Sequence, residues 1–89
     1  MNIAIVFGNK RNNSNGYVLN ILNTLTSRGI NIFVDERCAF EFKDTNVSFV
    51  NYEELYKLGD IILAVGGDGT IIHVAKEAAQ WDKPVMGIN

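Results

Sequence analysis

Four short apolar runs limit what this chain can fold into. They read NIAIVF at Asn2–Phe7, INIFV at Ile30–Val34, DIILAV at Asp60–Val65 and KPVMGI at 83–88. The first three are rich in Ile and Val and show little alternation with polar residues. A strand of that kind is buried on both faces, which is the mark of a parallel sheet covered on both sides. Helical patterns fall between them. In YVLNILNTLTSRG, Val18, Leu22 and Leu25 share one helical face, and Gly29 follows as a stop. NYEELYKLG, Asn51–Gly59, predicts a short helix ended by Gly59. Thr70 to about Gln80 predicts a third helix, with Ile71, Val74, Ala75 and Ala78 as its apolar stripe. GNKRNNSNG, Gly8–Gly16, is a polar loop, and Asp35–Val50 has no clean period and reads as irregular. The order βαβ(α)βαβ predicts an α/β domain, a Rossmann-like parallel sheet with flanking helices and right-handed crossovers. Ligands of such folds bind beyond the carboxyl ends of the strands. Gly8–Ser14 and Gly66–Thr70 both belong to that edge.

With 89 residues the chain makes one domain, burying roughly 60% of its unfolded surface. Its 47% hydrophobic and 20% charged residues are ordinary for a globular protein. The net charge is −2 and the eight basic residues are scattered, which argues against a nucleic-acid partner. No apolar run is long enough to span a membrane, and no cationic segment leads into a long apolar one as an export signal would. Cys38 is the single cysteine, so no internal disulfide can form, and a reduced, cytoplasmic setting is expected. Its thiol is expected in a loop or half buried, not as a nucleophile.

Chemistry concentrates in LAVGGDGTIIHVAKEAA, where the third apolar run ends in GGDGT and a helix follows. The turn is not a dinucleotide fingerprint, since Ile72 stands where its third glycine is needed. It is not a Walker loop, since no lysine follows the glycines. A glycine turn leading into a helix suits phosphate, with open backbone and unpaired N–H groups. Asp68 in its middle does not: two like charges about 4 Å apart near a surface repel by roughly 4 kcal/mol. Three jobs would offset this. Asp68 can act as a general base toward a hydroxyl, hold Mg²⁺ that also touches phosphate, or cap the helix. His73 falls on the polar face of the helix's first turn with Lys76, Glu77 and Gln80 beyond it. It reads either as a solvated surface residue or as a contact to a bound nucleotide. It has no partner at zinc-ligand spacing, so no protein metal site is expected.

GGDGT after DIILAV and before a helix, followed by PVMGIN, resembles the NAD kinase family. The resemblance runs from Met1 to Asn89 and is most informative from Asp60 onward. Lipid kinases and phosphofructokinases carry related turns, but the lipid kinases usually place an Asn–Glu pair where this chain has IIHVAK. The resemblance implies transfer of a phosphoryl group to the adenosine ribose 2′-hydroxyl of NAD, giving NADP, from ATP or polyphosphate with Mg²⁺ or another divalent cation. It implies Asp68 as the proton acceptor, with Gly67, Gly69, Thr70, His73 and Asn89 as substrate-binding positions. It further implies a homo-oligomeric full-length protein whose β-rich second domain supplies most NAD contacts. Residues 1–89 correspond to the amino-terminal α/β domain alone, expected to fold but not to catalyse by itself. A related lipid or sugar kinase, or a non-enzymatic flavodoxin- or receiver-like module, is the alternative; a receiver would want acidic residues after its first strand, where this chain has VFGNKRNN.

Overall fold

The computed structural model describes residues 1–8 and 16–88. Its elements in chain order are β1 (Asn2–Phe7), α1 (Gly16–Ser27), β2 (Asn31–Asp35), a 3₁₀ turn (Glu36–Cys38), β3 (Ser48–Val50), α2 (Tyr52–Leu58), β4 (Ile61–Val65), α3 (Asp68–Gln80) and β5 (Val85–Ile88). Among the described residues the sheet has five strands in the order β3-β2-β1-β4-β5. Every pairing is parallel. The predicted α/β class and the parallel partnership of the first and third apolar runs therefore hold.

Two boundaries differ from the sequence expectation. The stretch predicted to be irregular contains β3, which pairs with β2 through Phe33–Ser48 to Asp35–Val50. Three residues are too few to show a period, and an edge strand needs only one neighbour. The third helix begins at Asp68 rather than Thr70. Glycine breaks helices in their interior, but near the amino terminus the first N–H groups are unpaired in any case and the penalty is small.

The sheet carries helices on both faces. On one, Val18 and Leu22 of α1 pack with Ile5, Ile32, Val34, Leu63 and Phe42. On the other, Leu55 and Tyr56 of α2 and Val74 and Ala78 of α3 pack with Ala4, Val6, Ile62 and Ala64. Alternate residues of β1 thus serve opposite cores, as its unbroken apolar run required. Ala75, expected in the stripe of α3, is exposed, so that helix rests on a narrower seam centred on Val74 and Ala78.

The helix ends follow their predicted chemistry. Gly29 is left-handed at φ +80, and the N–H of Ile30 reaches back to the carbonyl of Leu25 at 3.2 Å, closing α1 in a Schellman turn. Gly59 stops α2 for another reason. Its φ of −72 suits any residue. A β-carbon there, however, would lie 2.9 Å from Ala4 Cβ and 3.1 Å from Ala4 N. The glycine lets the chain leave α2 directly over β1. Lys83 fixes that exit by donating to the Gly59 carbonyl at 2.7 Å.

Because the obstacle at Gly59 is backbone and a buried methyl, Gly59→Ala is expected to destabilise the fold by about 1–3 kcal/mol. The midpoint of urea denaturation checks this, and an unchanged midpoint would contradict the packing described here.

Candidate functional site

The strand order reverses between β1 and β4, since β1 continues to β2 on one side and β4 to β5 on the other. This is the switch point where parallel α/β sheets leave a crevice at their carboxyl edge. The two chain segments leaving it are Gly8 after β1 and Gly66 after β4. They are in close contact. A β-carbon on Gly8 would stand 2.6 Å from Thr70 Oγ1, and one on Gly66 would stand 3.0 Å from it. Gly66 also has φ +152, which side chains rarely adopt. The N–H of Gly8 donates to the Val65 carbonyl at 2.9 Å, and that of Gly66 to Ile88 at 2.9 Å. Glycine at these two positions is therefore demanded by the chain's own packing.

Gly67 and Gly69 answer to no such demand. A β-carbon at either would meet nothing within 4 Å, and neither has a positive φ. Gly69 lies in the first turn of α3, where alanine would suit the helix at least as well. Open space on both sides of Asp68 is what an approaching ligand needs.

Asp68 is the first residue of α3 and is exposed. The N-cap is Gly67, and it makes no side-chain cap bond. The N-cap position thus belongs to Gly67, and Asp68 stands at the first position inside the helix. An acid in a first helical turn gains about 0.3–1 kcal/mol from the helix dipole.

A cavity of about 580 Å³ opens beside this turn. Its walls include Gly8, Gly69, Thr70 and His73, together with Asp35, Arg37 and Tyr52. Gly67 and Asp68 stand next to Gly69 but outside the lining. Asn89 lies outside the described residues, as do residues 9–15 of the first loop. Cys38 is half buried and also lines the cavity, as a wall residue.

Three cavity residues had no part in the sequence reading. Asp35 ends β2, and an acid there could have been noticed, since it reaches the same carboxyl edge. Arg37 and Tyr52 gave no local signal; Arg37 comes in with the 3₁₀ turn after β2, and Tyr52 opens α2 after β3. Asp35 is 9% exposed and accepts two bonds from Arg37 Nε at 3.1 and 3.0 Å, one from Nη2, and one from the Arg37 N–H at 2.9 Å. These hydrogen bonds hold the Asp35 carboxyl below its ordinary value of 3.8, against the opposing pull of burial. The guanidinium carbon lies 5.8 Å from the Tyr52 ring centre. The Tyr52 hydroxyl meets that of buried Tyr56 at 2.7 Å and His73 Nε2 at 3.4 Å. Burial and the Tyr52 bond push the Tyr56 phenol up. His73 is exposed, as its polar-face position predicted, and it belongs to the cavity wall.

Comparison with known proteins gives a consistent result. The family described as the ATP-NAD kinase N-terminal domain matches residues 3–89. A protein named NAD kinase from Halorhodospira halophila is 40% identical over 76 residues, covering 83% of this chain and 25% of that protein. One from Nitrosomonas europaea is 31% identical over 72 residues, covering 81% and 24%. One from Nitrosomonas eutropha is 29% identical over 87 residues, covering 98% and 29%. The chain thus spans roughly a quarter of the length of the curated relatives it matches.

Two outcomes follow from this geometry. Gly69→Ala should leave the urea midpoint unchanged or raise it slightly, whereas Gly8→Ala should lower it, because only Gly8 is packed. Asp35→Asn should lower the midpoint at neutral pH. A carboxyl held below its ordinary value stabilises the fold above 3.8 and loses that effect as pH falls through its folded value. The gap between Asp35→Asn and its parent should therefore close on acidification, as parallel denaturations from pH 7 to pH 2 will show.

Proposed function

The chain belongs to the NAD kinase family, and from that premise we propose that it forms the amino-terminal wall of an enzyme that phosphorylates the adenosine ribose 2′-hydroxyl of NAD. The observation that carries this reading is Asp68, exposed at the first position of α3 and set between two glycines that the fold does not require. In this mechanism the Asp68 carboxylate takes the proton of the 2′-hydroxyl. The oxygen attacks the terminal phosphorus of ATP or polyphosphate, a new P–O bond forms, and the bond to the next phosphate breaks with its electron pair. A positioned base of this kind contributes typically ~10²–10⁴-fold. Gly67 and Gly69 let the ribose approach, while Thr70 and His73 contact substrate from the cavity side.

Among the described residues no group of three His, Cys, Asp or Glu gathers that could hold a metal by itself. This suits Mg²⁺, which keeps most of its waters and binds through one or two carboxylates together with substrate phosphates. The substrate phosphates would carry it, since Asp68 serves as the base. When bound, the ion would supply charge neutralisation on the phosphates. Among the described residues no helix is long and apolar enough to cross a membrane, which agrees with an enzyme acting on dissolved nucleotides.

One wall does not fix a dinucleotide. Holding the hydroxyl in line with the phosphorus supplies several kcal/mol of the barrier, and that needs contacts on all sides. The 89 residues incubated with NAD, ATP and Mg²⁺ are expected to form no measurable NADP. Grafted in place of the matching segment of the Halorhodospira halophila NAD kinase, they should support NADP formation. In that chimera Asp68→Asn should cut turnover by about 10²–10⁴-fold while NAD still binds. His73→Ala should raise the KM for NAD more than it lowers kcat. Near-normal turnover of the Asp68→Asn chimera would refute the base assignment.

A further inference from the structure

We propose that Arg37 is the phosphate-recognising residue of the cavity, presented by Asp35 and Tyr52, and that its ligand is the polyphosphate chain of the phosphoryl donor. The assignment rests on the kinase reading above. A guanidinium carries five N–H donors in a rigid fork. Arg37 directs the Nε and Nη2 edge to Asp35 and lays its cation over the Tyr52 ring. Its Nη1 group makes no hydrogen bond among the described residues, and the side chain is 76% exposed. The contacts that hold the guanidinium still therefore leave a donor edge directed away from the carboxylate.

Asp35 shapes the choice of ligand. An acid at the end of the second strand commonly binds ribose hydroxyls in dinucleotide folds. Here both carboxylate oxygens already accept from Arg37, and the group is almost buried behind it. Both residues line the cavity, and the donor edge still open to a ligand is the guanidinium's. Bonds from a guanidinium to phosphate oxygens are charge-assisted and match in geometry, and a fork already immobilised loses less entropy in making them. His73, tied to the same tyrosine from α3, adds a second nitrogen-bearing group to this wall.

The placement favours the donor over the dinucleotide. Asp68 must face the acceptor hydroxyl, and the phosphorus must come from another direction. Gly69, one residue from Asp68, and Arg37 both line the cavity. A phosphate chain running from Arg37 toward Gly69 would present its end to that hydroxyl.

The test uses the 89-residue chain with inorganic tripolyphosphate and with NAD as separate probes, each titrated by calorimetry and followed at the Arg37 Nε–H resonance. Tripolyphosphate is expected to bind and to shift that resonance. Arg37→Met should weaken tripolyphosphate binding about tenfold or more, as loss of a charged hydrogen-bonding partner does. It should also lower the urea midpoint at neutral pH, because the nearly buried Asp35 carboxyl loses its partner, so the titrations compare chains shown by circular dichroism to be folded, and any NAD binding should be unaffected. Arg37→Lys keeps the charge without the fork and should restore only part of the loss. No binding of tripolyphosphate by the parent chain, or equal binding by Arg37→Met, would overturn the proposal. A loss confined to NAD would overturn the donor assignment. None of these results depends on NADP formation by the chimera, so the two readings fail separately.

Discussion

The structure depends on β1 being a central strand with a parallel partner on each side. Asn2–Ile5 pair with Asn31–Val34, and Ile3–Phe7 pair with Ile61–Val65. No water reaches Ala4 or Ile5, so every backbone group there must be paired within the sheet. Parallel partners cannot be joined by a tight turn, so each connection has to cross a face of the sheet. The β1 to β2 crossing places α1 on one side, and the crossings through α2 and α3 occupy the other. Both cores and the crevice above the strand ends follow from that arrangement.

The glycines of the crevice separate structural need from functional clearance. Gly8 and Gly66 are held by contact with Thr70, which brings the carboxyl ends of β1 and β4 together. A β-carbon on Gly67 or Gly69 would meet nothing within 4 Å, and an alanine would suit the backbone at either position. A cluster that looks uniform as a string, GGDGT, therefore divides at Gly66. The first glycine belongs to the fold, and the next two keep space around Asp68.

Facing that turn, one tyrosine joins three segments that are distant in sequence. Tyr52 opens α2 just after its cap, where Asn51 Oδ1 accepts the Glu54 N–H at 3.0 Å. From there its ring underlies Arg37 and its hydroxyl reaches Tyr56 and His73. The anchor is Tyr56, 1% exposed in the core beneath α2. A polar phenol so deeply placed needs a partner. Satisfying it fixes Tyr52, and Tyr52 in turn lines the cavity.

Local sequence determined the elements. Unbroken apolar runs specified strands buried on both faces. The i, i+4, i+7 spacing of Val18, Leu22 and Leu25 specified α1, and Gly29 ended it for a backbone reason legible in one residue. The glycine turn with its aspartate was also visible, because strand, turn and helix adjoin along the chain. Tertiary structure decided the rest. Ser48–Val50 became a strand only because β2 had an open edge. Asp68 lost the cap to Gly67 because the helix began two residues earlier than its apolar stripe showed. Asp35, Arg37 and Tyr52 line one cavity with Gly69 because crossovers bring separate strand ends to one edge. That proximity depends on how the chain returns across the sheet, which residue periodicity does not record.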